Sequence, residues 1–260
     1  MDYQKKYYEF ENLWNRKPNE ADIERIKKVS ELIPPDVSSI LDAGCGNGIF
    51  INYLKNQPRK FIKIHGVDRS QAALKFVTTE KTEASIEKLP FDEDEFDLVT
   101  CLEVLEHLPQ PLFIKALVEL TRVSKKYIII SVPNNQNLRV GQIICPDCFT
   151  LFNPNLHLRS FGVQKLKNLF IQYDFHCKKV EAICQVKSCI LSPAYMQWKN
   201  KFQSLENRLP YDLICPVCGS TIAGQKNKSE NKPENFKNLI RKVWPKIQRK
   251  RWLMAIYAKD

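Results

Sequence analysis

Ile40-Leu41-Asp42-Ala43-Gly44-Cys45-Gly46-Asn47-Gly48 gathers three of the chain's eight glycines into five residues behind a short apolar run. The apolar run reads as a strand. A strand that feeds a tight turn can lie against a nucleoside only where no Cβ intervenes. Spacing separates the ligand classes that use such a turn. A dinucleotide fold expects G-x-G-x-x-G, whereas here the third glycine arrives one residue early and Ile49 follows it, so dinucleotide binding is disfavoured.

Outward from this turn, Ile62 to Val67 reads as a second strand and ends at Asp68. A carboxylate at that tip can accept hydrogen bonds from both ribose hydroxyls. Phe96 to Leu102 and Lys126 to Val132 read as further strands, followed by one from about His176 to Val186 and a closing strand over Trp252 to Ala258. Helical patterns over about 48–56, 70–79, Pro111 to Val123 and Gly162 to Tyr173 alternate with them. Ile23, Ile26, Val29, Leu32 and Ile33 place another helix before Pro34-Pro35. The alternation predicts an α/β fold. Its parts are a helical cap over 1–35, a core over 36–190 and 252–260, and an insertion over 191–251. No internal repeat is evident.

Ser85-Ile86-Glu87-Lys88-Leu89-Pro90-Phe91, then Phe96-Asp97 and Glu103-Val104-Leu105-Glu106-His107-Leu108, and finally Pro133-Asn134 complete a recognisable series. With the acidic residue and G-x-G-x-G of Asp42 to Gly48, the stretch from about 37 to 180 resembles the class I S-adenosylmethionine-dependent methyltransferases, in their small-molecule, ubiquinone-biosynthesis-like branch. The resemblance implies a seven-stranded Rossmann-like sheet, parallel except for its last strand, with helices on both faces. It implies S-adenosyl-L-methionine held by Asp42, Gly44, Cys45, Gly46, Gly48, Asp68, Arg69, Ser85 and Ile86, with Cys101 and Leu102 at the methionine end. Many relatives carry an acid where this chain has Ser85, and a hydroxyl accepts from an adenine amino group more weakly. In the family the leading segment packs over the cofactor, which makes Tyr7, Tyr8, Phe10 and Trp14 either parts of a lid or ordinary sheet packing.

No run of eighteen apolar residues exists and the first residues lack a signal peptide's apolar core, so the expected location is cytoplasmic. Nine cysteines, an odd number, fit a reducing compartment better than a disulfide scaffold. The net charge is +11, of which +8 falls between Lys226 and Asp260. The body is therefore nearly neutral, and nucleic acid, which calls for a basic binding face, ranks behind a small-molecule acceptor as partner.

Cys145-Pro146-Asp147-Cys148 and Cys215-Pro216-Val217-Cys218-Gly219 are two C-P-x-C knuckles separated by 66 residues. Four thiolates in two such turns suit tetrahedral zinc without an open position, hence a structural rather than catalytic ion. The expected topology brings the two loops out on the same edge of the sheet, which answers the long spacing. A redox pair or free thiols are the alternatives. Cys45, Cys101, Cys177, Cys184 and Cys189 have no comparable pairing and read as packing residues.

Glu103, Glu106 and His107, at i, i+3 and i+4, would share one face of a helix. His157 follows in Asn155-Leu156-His157-Leu158-Arg159. The run resembles metal-assisted O-methyltransferases, which implies a magnesium or similar ion on Glu103, Glu106, His107 and His157, lowering the pKa of a bound hydroxyl. The alternatives are a general base at His107 or His157, with Glu106 in the same site, or local packing.

From Asn235 to Trp244, Phe236, Leu239, Ile240 and Val243 recur at helical spacing among basic residues. Such a segment either docks on the domain or lies on an anionic membrane surface, which would suit a lipid-linked acceptor. The sequence thus predicts a methyltransferase acting on a hydroxyl of a small molecule, sugar or lipid-linked intermediate. Its alternatives are a zinc-containing RNA methyltransferase or RNA-binding module, and a cofactor-binding protein without turnover.

Overall fold

The computed structural model describes residues 7–139, 142–189, 213–222 and 246–260. The basic segment Asn235–Trp244 and the polar stretch before it lie outside these residues. The chain divides into two compact units. One comprises 8–136, 158–184 and 250–260; the other comprises 1–7, 137–157 and 185–249.

The larger unit is built on a seven-stranded sheet. In chain order its elements are α1 (Glu11–Trp14), α2 (Glu20–Glu31), β1 (Ser39–Ala43), α3 (Ile49–Lys55), β2 (Lys63–Asp68), α4 (Gln71–Leu74), β3 (Glu80–Glu83), β4 (Phe96–Leu102), α5 (Gln110–Val123) and β5 (Ser124–Pro133). After the smaller unit's β6 (Ile143–Ile144) and β7 (Leu151–Phe152) come α6 (Val163–Lys167) and β8 (Phe175–Cys189). The strand order is β3-β2-β1-β4-β5-β11-β8, where β11 (Lys246–Lys259) runs antiparallel to β5. This is the predicted sheet, parallel from β3 to β5.

Alternation along the strands explains both cores. Leu41, Val99, Ile128, Ile130 and Tyr257 face one way and pack on Phe113, Leu117 and Leu120 of α5 and on Leu166 of α6. Their neighbours Ile40, Leu98, Ile129 and Met254 face the other way, onto Ile26 and Val29 of α2 and Phe50, Ile51 and Leu54 of α3. Burial on both faces is why Tyr127 to Val132 is apolar but for Ser131, whose buried hydroxyl finds an acceptor. Asn19 caps α2 reciprocally with Asp22, so the helix starts where its apolar period does.

Two predicted helices are shorter in the structure. The pattern over 70–79 yields only Gln71–Leu74, and Gly162–Tyr173 yields Val163–Lys167 plus a 3₁₀ turn at Ile171–Tyr173. Phe76 and Val77 instead close tight turns onto Ala73 and Leu74 carbonyls, and Val77 packs into the core ahead of β3. Tertiary contact overrides a weak helical period in both places.

The described residues of the smaller unit include two hairpins, β6–β7 and β9–β10 (Leu213–Ile214 with Thr221–Ile222). They are the same motif twice. Cys145 N donates to Thr150 O and Phe149 N to Cys145 O; Cys215 N donates to Ser220 O and Gly219 N to Cys215 O. Phe149 (φ 58°) and Gly219 (φ 77°) hold the same left-handed position. The chain therefore does contain a repeat, of ten residues, Ile143 to Phe152 and Leu213 to Ile222. The two copies share the C-P-x-C run and the isoleucine before it, and differ most at the left-handed position, phenylalanine in one and glycine in the other.

Candidate active site and cysteine cluster

The glycine turn leaves β1 with Gly44, Gly46 and Gly48 at φ 81°, 54° and 74°, a region L side chains avoid. A Cβ on Gly44 would stand 2.5 Å from Val104 Cγ2, and one on Gly46 would stand 2.9 Å from the Trp14 ring. The amides of Gly44 and Cys45 both donate to Val67 O, at 2.7 and 2.9 Å, which pins the turn to the end of β2. Asp68 then closes the cradle. Its carboxylate accepts from Gly46 N at 2.8 Å and Ser70 N at 2.9 Å, and the lone pairs left over suit a diol. Burial raises its pKa, opposed by these two amides. Such a cradle fits the nucleoside of S-adenosyl-L-methionine, which supplies an electrophilic methyl on a sulfonium.

Asp42 stands beneath this cradle. It is 2% exposed, accepts from Thr100 Oγ1 at 2.6 Å, and burial pushes its pKa up to about 7. Arg69 is half-buried just past Asp68, and Cys45 and Cys101 are buried, their thiols pushed up by burial. Ser85 Oγ donates to the carboxylate of Glu87, which places an acid beside position 85. Ile86 is buried beside it. The Leu89-Pro90-Phe91 run is held from α5: Glu119 accepts from Leu89 N at 2.7 Å, while Arg122 donates to the Phe91 and Leu89 carbonyls.

β4 ends at Leu102, and the acidic run that follows is not a helix. Glu103 has φ 60°, and only Leu105–His107 forms a 3₁₀ turn. The expected common face of Glu103, Glu106 and His107 is therefore absent. Glu103 turns to the sheet, where its two oxygens accept from Ser131 Oγ at 2.7 Å and Trp252 Nε1 at 2.6 Å. Glu106 turns inward, 1% exposed, and neither of its oxygens meets a hydrogen-bond donor among the described residues. Burial, reinforced by the charge of Glu103, raises its pKa well above the carboxylate range. His107 Nε2 stands 4.0 Å from Glu106 Oε1. Both Glu103 oxygens are thus committed to the sheet, away from the ligand role expected of that residue. Leu158, bonded to His157, donates its amide to Glu106 O at 2.7 Å. Burial lowers the pKa of His157 to about 4.

The N-terminal aromatics are placed by the same site. The Trp14 ring lies against Gly46, Asn47 Nδ2 donates to Trp14 O at 2.7 Å, and Tyr8 OH lies 3.1 Å from His107 Nδ1. Tyr7 is buried and Phe10 exposed.

In the smaller unit, the sulfurs of Cys145, Cys148, Cys215 and Cys218 all lie within 4.8 Å of one another. Cys145 and Cys218 are 3.6 Å apart, as are Cys148 and Cys215. The Thr150 hydroxyl beside Cys148, 3.3 Å away, holds that thiol down at about 6, and Ser220 lowers Cys218 likewise. Of the remaining cysteines, Cys184 is buried and Cys177 half-buried against the core; the side chain of Cys189 lies outside the described residues.

Residues 41–130 match the family model described as a methyltransferase domain. An uncharacterized protein of Methanocaldococcus jannaschii is 30% identical over 162 residues, 62% of this chain and 68% of that protein. A ubiquinone biosynthesis O-methyltransferase of Albidiferax ferrireducens is 31% identical over 98 residues, 34% of this chain. The chain spans only 38% of that enzyme's length. Among solved structures, a SAM-dependent methyltransferase from Archaeoglobus fulgidus shares the fold with a TM-score of 0.53 at 18% identity, covering 97% of this chain and 99% of that one. No helix among the described residues is long and apolar enough to cross a membrane. Glycine cradle, strand order and relatives agree, and the chain belongs to the class I S-adenosylmethionine-dependent methyltransferases.

Proposed function

We infer that the enzyme methylates a hydroxyl, with the Glu106–His107 pair taking up the proton that the hydroxyl loses. The observation that carries this reading is the buried Glu106 carboxylate, whose two oxygens lack a donor among the described residues, 4.0 Å from an imidazole. A carboxyl in that setting holds its proton more tightly than in water, and beside His107 it forms a pair able to accept one proton between them. Such a pair suits a nucleophile that needs deprotonation, as a phenol or sugar hydroxyl does. The turn carrying it also abuts the cofactor cradle, since Val104 lies against Gly44. His157 is held neutral by burial. A small-molecule acceptor is favoured by the ubiquinone-enzyme relatives, and sugar and lipid-linked hydroxyls fall within the same chemistry.

The test has two stages. Calorimetry with S-adenosylmethionine and its demethylated product measures the donor site, and no binding of either refutes the cofactor. Labelled methyl transfer is then measured to phenols, sugars, polyprenyl-linked hydroxyls and RNA. Label in hydroxyl products, lost in His107→Ala with cofactor binding retained, supports the reading. Label confined to RNA overturns it in favour of an RNA methyltransferase.

The cysteine cluster holds one structural zinc. Four sulfurs from two hairpins of the same geometry match a closed tetrahedral site, which clasps the loop 137–157 to the segment around 215–218. Metal analysis of protein purified without added zinc is expected to give one equivalent. Less than half an equivalent in natively folded protein rejects it.

A further inference from the structure

The first cysteine hairpin carries apolar side chains that its own fold does not use. Ile144 is 51% exposed, Leu151 54% and Phe149 78%, and Val217, at the tip of the second hairpin, is 57% exposed. Ile144 and Leu151 are cross-strand partners, so their side chains leave the same face of the hairpin side by side. The second hairpin shows that the ten-residue motif has no need of them. There Ile214, in the place of Ile144, is 1% exposed, and its cross-strand partner is Thr221. Gly219 occupies the left-handed position that Phe149 holds at φ 58°. Bulky side chains are uncommon in that region, and glycine meets the same geometry without strain. The chain thus keeps a strained aromatic at an exposed tip, where it buries little of its own surface.

We propose that this hairpin docks the protein on an anionic lipid surface, with Phe149, Ile144 and Leu151 entering the apolar boundary and the basic charge of the smaller unit holding the headgroups. The charge is concentrated in that unit. Its residues 1–7, 137–157 and 185–249 hold fifteen Lys/Arg against six Asp/Glu, which is +9 of the chain's +11. Interfacial binding grows with the apolar area inserted and with the attraction of basic residues to anionic headgroups, and it needs no crossing helix. A basic surface with an exposed aromatic would also suit RNA, but bases stack on aromatic faces and their edges call for polar groups. The aliphatic pair Ile144 and Leu151 offers neither, whereas a bilayer gives both an apolar phase to enter. The docking itself does not rest on the acceptor; only its consequence, that the methylated hydroxyl is one held in the lipid, rests on the reading above.

The experiment is sedimentation of the full chain with vesicles of equimolar phosphatidylcholine and phosphatidylglycerol, at low and at high salt, without methyl donor or acceptor. Wild type is expected to pellet with these vesicles at low salt and to be released as salt screens the headgroups. Phe149→Gly removes the aromatic and relieves the backbone, so it should fold at least as well as wild type while its partition falls roughly ten-fold, the worth of burying that side chain. Ile144→Ser combined with Leu151→Ser, with folding checked by thermal melt, is expected to act in the same direction. No pelleting of wild type at low salt overturns the proposal, and that result needs no variant to fold. Both variants pelleting at wild-type levels overturns it as well, since charge alone then suffices. Wild type that ignores vesicles but binds polyuridylate, less tightly in Phe149→Gly, assigns the tip to nucleic acid and rejects the lipid surface. Because no methyl transfer is measured, failure of the hydroxyl reading leaves this result standing, and failure here leaves that reading standing.

Discussion

Replacing Gly44 with alanine tests whether the glycine turn and the acidic turn are mechanically one object. Two costs are readable from the structure. The backbone at φ 81° charges an L residue about 1–2 kcal/mol. The new Cβ, 2.5 Å from Val104 Cγ2, forces that side chain to move, at about 1–3 kcal/mol for overpacking of a fitted site. Gly44→Ala is therefore expected to lose about 2–5 kcal/mol in total. Val104→Ala is expected to cost about 1 kcal/mol by itself, since the side chain is only half-buried. In the double variant the clash disappears while the backbone strain remains, so the two changes should couple favourably by about 1–3 kcal/mol. Urea denaturation of the four proteins gives the cycle, and calorimetric titration with S-adenosylhomocysteine gives the functional side. Val104 sits between Glu103 and the Leu105–His107 turn, so the single variant should also impair turnover more than cofactor binding. Strict additivity, or a Gly44→Ala protein within about 0.5 kcal/mol of wild type, refutes the reasoning.

Three further outcomes are expected. Asp97 accepts from Ser38 Oγ, Ser38 N and Ser39 N and pairs with Lys126; burial alone would raise its pKa, but these donors outweigh it and bring it to about 2. Its folded value lies below the unfolded one, so its contribution of about 2 kcal/mol is complete above roughly pH 4 and disappears as pH falls through 2. Asp97→Asn should flatten the acid limb of a stability-versus-pH curve, and superimposable curves would contradict this. Asp68→Asn puts an amide donor against one of two backbone N–H groups and should weaken S-adenosylhomocysteine binding by roughly ten-fold or more; an unchanged dissociation constant detaches Asp68 from the cofactor. Phe149, 78% exposed and left-handed, should tolerate glycine with little loss or a gain of up to about 1 kcal/mol, whereas Gly219→Phe should cost about 1–2 kcal/mol, and equal effects in thermal melts would argue against the repeated hairpin.

Most of the scaffold was legible because it rests on local chemistry. β4 was read residue for residue, since burial leaves it apolar except at Asp97 and Thr100, whose side chains are hydrogen-bonded. The glycine turn declared itself because positive φ admits little else, and Asp68 because a strand tip is where a diol can be met. The helices at 71–74 and 163–167 were over-read where core contacts cut a weak period short.

What the chain alone determined, then, is the backbone of the proposed donor half: the turn from Asp42 to Gly48, Asp68, and the Leu89-Pro90-Phe91 run, all set by backbone geometry within a few residues. The acceptor half was decided by tertiary structure. Glu103, Glu106 and His107 look alike as potential ligands in sequence, but Trp252, 149 positions on, takes Glu103, Tyr8, 99 positions back, meets His107, and Glu106 is buried with no donor among the described residues. Likewise the cysteine spacing named a metal chemistry, and only the fold brought four sulfurs within 4.8 Å. A side chain's role there depends on which remote donor reaches it, and that is a property of the sheet order rather than of any local pattern.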